Sequence, residues 1–167
     1  FNQSFRESTC VSCGACVQTC PTNALSDRYS VKTLPADHIV RTTCTYCGVG
    51  CNLEVKVTGG QVKGIQAPVD AATNRGHTCL KGRYAFGFYN HPDRLRSPMI
   101  RKNGILTEVS WDEAYEYTAK RFREIKEEYG PDALAGISSA RCTNEENYLM
   151  QKFFRIIIGT NNIDGCA

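Results

Sequence analysis

No apolar run in this 167-residue sequence approaches the length that spans a bilayer. The longest aliphatic patch, Ile156-Ile157-Ile158, follows Arg155 and ends at Gly159, so direct membrane insertion is not expected. No secretory or twin-arginine segment is visible at the start. The sequence opens on Phe1 rather than methionine, which leaves a preceding segment open. Excess charge of one sign is also scarce. A net charge of +3, from 20 Lys and Arg against 17 Asp and Glu, is too small to point to nucleic acid or a membrane surface. The aromatic–basic interleaving and recognition-helix signature of nucleic-acid binders are missing too. Methionine occurs only twice, whereas cysteine occurs ten times.

Eight of those ten cysteines fall in two runs, leaving Cys142 and Cys166. The downstream run is Cys44-x2-Cys47-x3-Cys51-x27-Cys79, followed at once by Leu80-Lys81-Gly82-Arg83. Three clustered thiols and one remote thiol are what a cubane [4Fe–4S] cluster needs, because a tight loop wraps three corners and the chain must travel to reach the fourth. The upstream run, Cys10-x2-Cys13-x2-Cys16-x3-Cys20-Pro21, matches the bacterial ferredoxin ligand pattern. In that pattern the fourth cysteine serves a different cluster from the first three. A disulfide scaffold fits poorly, since Cys-x2-Cys repeats place thiols on one short loop. Structural zinc uses such pairs as well, but the x2, x2, x3 spacing closed by proline is the more specific cluster signal. Two motifs in series read as an electron wire in a reducing compartment, with the cytoplasm expected.

The basic residues Lys81, Arg83, Arg94, Arg96, Arg101 and Lys102 gather after the second run. Each alone reads as solvated surface; together, beside an anionic cluster, they favour its reduced form and can hold an anionic group. Gly48, Gly50 and Gly82 allow close backbone approach to the sulfurs, or simply turn geometry. His77 reads as structural or solvated, because four thiols already close the site. Cys142, next to a helix start, reads as a structural thiol, and Trp111 as a packing residue.

Three stretches make up the chain: a ferredoxin-type segment (1–38, ending in a linker through Thr33-Leu34-Pro35), a [4Fe–4S] cluster domain (40–98) and the start of an α/β domain (99–167). Alternation over 53–57 and 62–67 about Gly59-Gly60 predicts a hairpin that carries the chain from Cys51 back toward Cys79. Asn103-Gly104 predicts a type I′ turn between short strands. Ser110-Trp111-Asp112-Glu113 reads as a capping box opening a helix that runs to about Tyr129, stopped by Gly130 and Pro131. A buried strand is expected over 133–138. A second capping box at Thr143-Asn144-Glu145-Glu146 opens an amphipathic helix with Tyr148, Leu149, Phe153, Ile156 and Ile157 inward. A further strand follows from Asn161. Helix, strand, helix, strand implies a parallel α/β layer that is incomplete, and residues 138–144 after its first strand are placed to line a cofactor cavity. The fold class is thus α/β with small iron–sulfur domains: a ferredoxin-like cluster loop, a β-rich [4Fe–4S] domain, then a parallel α/β domain.

Cys79-Leu80-Lys81-Gly82-Arg83, His91-Pro92-Asp93-Arg94-Leu95, Ser110-Trp111-Asp112-Glu113-Ala114, Thr143-Asn144-Glu145-Glu146-Asn147-Tyr148 and Gly159-Thr160-Asn161-Asn162-Ile163-Asp164 together carry a family likeness. With the second cluster motif they make the chain resemble the N-terminal part of the catalytic subunit of molybdenum- or tungsten-dependent formate dehydrogenases, which are bis-pyranopterin oxidoreductases. The resemblance implies Cys44, Cys47, Cys51 and Cys79 as ligands of a proximal [4Fe–4S] cluster. It makes Lys81 an electron relay between that cluster and a pterin, and places the Cys10, Cys13, Cys16 and Cys20 segment farther along the path. The implied cofactor is bis-molybdopterin guanine dinucleotide with Mo or W, acting on formate and CO2, with a redox partner subunit or ferredoxin taking the electrons. The family's metal-binding selenocysteine or cysteine is expected beyond Cys166-Ala167, so no catalytic residue is assigned here. The fourth ligand for Cys10, Cys13 and Cys16, and the companions of Cys20, are expected upstream. Alternative readings are the iron–sulfur subunit of a respiratory NADH dehydrogenase, a ferredoxin-like carrier without catalysis, and a nitrate reductase sharing the cluster motif.

Overall fold

The computed structural model describes residues 3–28 and 35–166, the last without its side chain. Thr33 and Leu34 of the expected linker lie outside the described residues. The chain divides into two compact units, Phe1–Pro92 and Asp93–Ala167.

In the first unit a short helix α1 (Ala15–Gln18) sits within the ferredoxin-type run. A three-stranded antiparallel sheet follows, in the order β1 (His38–Thr43), β2 (Asn52–Thr58), β3 (Gln61–Gln66). The predicted hairpin is β2–β3, with a register irregularity after Lys56. Strand β1 was not among the expected elements, although Ile39, Val40, Thr42 and Thr43 are β-branched and suit a pleated surface. It pairs along its whole length with β2, Thr43 opposite Asn52, which makes the stretch 44–51 the loop of a β1–β2 hairpin. Helix α2 (Leu80–Tyr84) begins directly after Cys79. The buried apolar residues of the unit are Cys44, Leu53, Ala67 and Ala71, a small core contributed by the start of the 44–51 loop, β2 and the segment after β3.

The second unit opens with the hairpin β4 (Met99–Lys102) and β5 (Ile105–Glu108). Asn103 and Gly104 both have positive φ, 50° and 83°, as a type I′ turn demands. Helix α3 (Trp111–Tyr129) is capped by Ser110, whose hydroxyl accepts from the Glu113 amide at 3.1 Å. The expected box is only half made. Glu113 does not reach back, because its carboxylate is engaged by Lys102 Nζ of β4 at 2.5 Å. Trp111 is 59% exposed and stacks at a tilt on Tyr115 with ring centres 5.6 Å apart, so it does not pack into this unit's interior.

Gly130 ends α3, and Pro131 then starts a 3-10 turn, Pro131–Ala133. That turn delays the next strand, so β6 is Gly136–Ser139 rather than a run from 133. Only Gly136 of it is buried, and Ile137 is 78% exposed. Helix α4 (Asn144–Lys152) carries the complete capping box: Thr143 Oγ1 accepts from the Glu146 amide, and Glu146 accepts from the Thr143 amide at 2.7 Å.

The inward face of α4 differs from the expected one. A π-helical turn, Phe153–Ile158, continues the helix, with the Gly159 amide donating to the Phe154 carbonyl at 2.8 Å. One extra residue in a turn rotates later side chains by roughly 100°. Past the turn Phe154 and Ile158 are the buried residues, Ile156 and Ile157 are exposed and Phe153 is half-buried against Phe122, while Tyr148 and Leu149, before the turn, are exposed as well. Strand β7 (Ile163–Cys166) pairs parallel to β6, Gly136 opposite Ile163, which is the parallel arrangement expected from helix–strand alternation. The Gly159-Thr160-Asn161-Asn162 stretch sets that register. Thr160 donates to the Asp132 carboxylate at 2.6 Å and Asn162 to the Asp132 carbonyl at 2.9 Å, docking the start of β7 on the 3-10 turn.

Candidate metal centre

Cys44, Cys47 and Cys51 sit on the loop that joins β1 to β2. The Cys44 amide donates to the Cys51 carbonyl at 2.7 Å and closes the loop, so its first and last thiols leave the same end of the sheet. Asn74 returns the chain to that end. Its Oδ1 accepts from the Asn52 amide at 2.8 Å, and its Nδ2 donates to the Asn52 and His77 carbonyls at 3.1 and 2.6 Å. Nothing in the sequence singled out Asn74; an asparagine five residues before a suspected ligand was the only signal. His77 is exposed and hydrogen-bonds here through its backbone.

The four thiols lie within electrostatic reach of one another. Burial first, then the neighbouring thiolates Cys47 and Cys79, push the Cys44 thiol above its ordinary range, while the Tyr46 amide opposes the shift. Burial followed by Cys44, Cys47 and Cys79 does the same to Cys51. Among the described residues, no three His, Cys, Asp or Glu side chains converge on a point that one ion could occupy. A cubane's irons each take one thiolate, so three thiols on the 44–51 loop and Cys79 are the kind of donor set such a cluster uses.

The surroundings fit such a group. A Cβ on Gly82 would collide with Thr78 Oγ1 but lie at an ordinary contact distance of 3.5 Å from Cys44 Sγ, so glycine at this place makes room for the Thr78 hydroxyl against α2. Thr78 Oγ1 is itself buried without a hydrogen-bond partner, a hydroxyl free to donate to sulfur. Lys81 is exposed in the first turn of α2, two residues past Cys79.

The upstream run is shaped by two left-handed residues, Ser12 and Gly14. Ser12 turns its amide back onto Cys10 Sγ at 3.4 Å, as the Tyr46 amide faces Cys44. Both loops thus present an N–H from two residues past the first cysteine. Cys13 and Cys16 lie beside Tyr84 of α2, whose hydroxyl is pushed above its ordinary range by burial and then by Asp27. Cys20 stands apart in a turn where the Leu25 amide, the Thr22 hydroxyl and the Thr22 amide lower its thiol to about 7.

In the second unit, a cleft of about 390 Å³ opens where β6 and β7 end, lined among others by Ser138, Ser139, Asn147, Arg155 and Asp164. The expected 138–144 segment contributes Ser138, Ser139 and Ala140 to it, and α4 with its π turn supplies Asn147, Gln151 and Arg155. Cys142 is half-buried and donates its thiol hydrogen to the Ser139 carbonyl at 2.9 Å, the role of a structural thiol.

The comparisons with known proteins agree with this geometry. Residues 37–91 match the Molybdopterin oxidoreductase Fe4S4 domain and residues 94–167 match Molybdopterin oxidoreductase. The chain belongs to the molybdopterin oxidoreductase family. Residues 4–26 of this molybdopterin oxidoreductase match the 4Fe-4S binding domain, and the matched domains indicate iron–sulfur clusters and a molybdopterin cofactor. Two Staphylococcus aureus proteins, from strains bovine RF122 / ET3-1 and MSSA476, both named "Putative formate dehydrogenase", are 39% identical to it over 201 aligned positions. The alignments cover 96% of this chain but 20% of each relative, so the chain spans about a fifth of the length of the curated relatives it matches. Among solved structures, acetylene hydratase from Pelobacter acetylenicus is similar with a TM-score of 0.58 and 21% identity, covering 75% of this chain and 18% of that one. That likeness shows the fold. No described helix is long and apolar enough to cross a membrane.

Proposed function

We propose that this chain is the electron-conducting N-terminal portion of a formate dehydrogenase catalytic subunit. Cys44, Cys47, Cys51 and Cys79 hold the proximal cluster, Cys10, Cys13 and Cys16 hold a ferredoxin-type cluster, and Cys20 serves a further one. The observation that carries this reading is the mutual electrostatic reach of the four thiols around the Gly82 approach. The relatives' names supply formate. Formate oxidation releases CO2, a proton and two electrons; bound clusters supply one-electron storage, so the pair must leave singly.

The chain's own residues prepare that transfer. The Ser12 and Tyr46 amides and the Thr78 hydroxyl stabilise negative charge on sulfur, which favours the reduced state. Lys81 places a cation beside the last thiol, where it steadies an extra electron. In the cleft at the ends of β6 and β7, Arg155 offers charged donors to an anionic cofactor beside the carboxylate of Asp164, while Ser138 and Asn147 are hydrogen-bonded to each other, and this is where we place the molybdopterin's contact with the chain.

The test is metal content of the complete protein that contains this chain, wild type against Cys44→Ala. The wild type is expected to hold molybdenum or tungsten with iron, and the variant to lose about four irons per chain, one cubane. Iron without molybdenum or tungsten, or a variant with undiminished iron, contradicts the reading.

A further inference from the structure

Arg83 is buried, at 5% exposure, in a unit whose other arginines lie at the surface. Its Nε donates to the Cys13 carbonyl at 2.8 Å, across 70 residues of sequence. A Cβ on Gly14 would come within 2.6 Å of Arg83 Cδ and 2.9 Å of its Nε, so the side chain runs flat along the Cys13-Gly14 backbone. Gly14 adopts φ 73° there, and the space of the absent side chain is filled by Arg83 together with the Tyr84 hydroxyl. The guanidinium therefore starts from α2, four residues past the last thiol of the downstream run. Its Nε meets the backbone of Cys13, the middle one of the first three thiols of the upstream run.

One of its nitrogens has nothing to bind. Nη2 is buried and lacks a hydrogen-bond partner. An unsatisfied N–H on a buried cation costs more than one on a neutral group, and such atoms mark a missing acceptor. The only other buried side-chain polar atom without a partner among the described residues is Thr78 Oγ1. Both flank Cys79, and both belong to donors. Thr78 adjoins the Cys44 side of α2 and Arg83 the Cys13 side.

We infer that Arg83 is the positioning residue that couples the two cluster loops: Nε fixes the Cys13 backbone, and Nη2 donates to the sulfur of the cluster carried by Cys10, Cys13 and Cys16. This rests on the reading of that run as a cluster site. The second tie between the loops has a different character. Gln18 of α1 grips the backbone of Ala67 through both ends of its amide, holding the ferredoxin-type helix to the end of β3 without contributing charge. Gln18 docks the loop, whereas Arg83 docks it and adds a desolvated positive charge. A cation and an N–H donor at sulfur both raise a cluster's reduction potential, so Arg83 makes the ferredoxin-type cluster the better electron acceptor. Reduction in this scheme adds one electron to that cluster and changes no bond in Arg83.

The experiment is a redox titration followed by electron paramagnetic resonance on the complete protein, as wild type, Arg83→Gln and Arg83→Lys, with iron content measured alongside. For Arg83→Gln, the ferredoxin-type cluster is expected to lose at least tenfold in its reduction equilibrium, a potential lower by about 59 mV for one electron. The cluster of Cys44, Cys47, Cys51 and Cys79 is expected to keep its potential, and Arg83→Lys, which retains the charge, to fall between. Loss of only the ferredoxin-type cluster's iron from Arg83→Gln, with retention in Arg83→Lys, also supports the assignment. Unchanged potentials with full iron in Arg83→Gln overturn it, as do equal shifts or losses at both clusters, which show a general structural role. A Cys13→Ala variant that holds as much iron as the wild type overturns the underlying cluster reading instead.

Discussion

The thiols of this chain stand in unlike surroundings, and their protonation differs accordingly. Cys20 is lowered to about 7 by the Leu25 amide and by the hydroxyl and amide of Thr22, while burial raises Cys44 and Cys51 above the ordinary 9.0. Lowering favours the thiolate above the shifted value, and raising keeps the thiol protonated to higher pH. At about pH 8, Cys20 in iron-free protein is therefore roughly nine-tenths thiolate, whereas Cys44 and Cys51 are mostly thiols. Short-pulse iodoacetamide labelling with peptide mapping is expected to modify Cys20 first, with a rate midpoint near 7. Equal rates at the three positions would show that the loop amides do not hold the Cys20 thiolate. Iron uptake must then displace protons from Cys44 and Cys51, which couples assembly of the proximal site to pH. Gly82 and Thr78 act at this scale too: the glycine leaves room for the Thr78 hydroxyl, which is buried with its donor unused.

Among the elements, the two capped helices of the second unit offer a controlled comparison. Thr143 and Glu146 satisfy each other's amides, but Glu113 of α3 is diverted to Lys102. Thr143→Ala should cost about 1 kcal/mol, and Glu146→Ala should lower stability measurably by freeing the Thr143 amide. Glu113→Ala removes only an exposed ion pair and should cost under about 1 kcal/mol, with high salt abolishing the difference. Urea denaturation of each variant checks this ordering; a Glu113→Ala penalty as large as that of Thr143→Ala would mean the box at α3 forms in solution.

The same elements show where the sequence was readable. Both hairpins, the ends of α3 and the α4 box followed from local rules: turn glycines, caps and period-2 alternation. What was not legible depended on partners distant in sequence. Lys102 competing for Glu113 and β1 aligning on β2 are tertiary choices. The expected inward positions Ile156 and Ile157 were misjudged because a regular 3.6-residue repeat was assumed through Phe153–Ile158, where the backbone is π-helical. Tyr148 and Leu149, ahead of that turn, are exposed for want of a packing partner among the described residues of this unit. Trp111 was expected to pack at the helix start, but it is 59% exposed and stacks on Tyr115 of its own helix. The cysteine spacing pointed to the candidate centre before any coordinates, since a cubane's needs are written in the intervals. Asn74, Thr78 and Arg83 were not so visible: a clamp or a buried orphan donor is recognisable only once the residues it meets are in place.

At the scale of the whole molecule, the account makes the first unit a path for electrons and the second the beginning of a cofactor-binding layer. Of the eight motif cysteines only Cys44 is buried, and the upstream run lies at or near the surface of the first unit. Lys81, exposed beside the last thiol, is assigned to the step that brings electrons onto the proximal cluster. Lys81→Met should keep its iron yet slow that step roughly tenfold, as loss of about 1.4 kcal/mol of transition-state stabilisation would. The most direct measurement is freeze-quench electron paramagnetic resonance of the anaerobic, complete protein after mixing with formate, read against dithionite and against Lys81→Met. The account predicts that formate alone reduces the clusters, and that the variant does so more slowly to the same final extent. Clusters that dithionite reduces but formate leaves oxidised would contradict it.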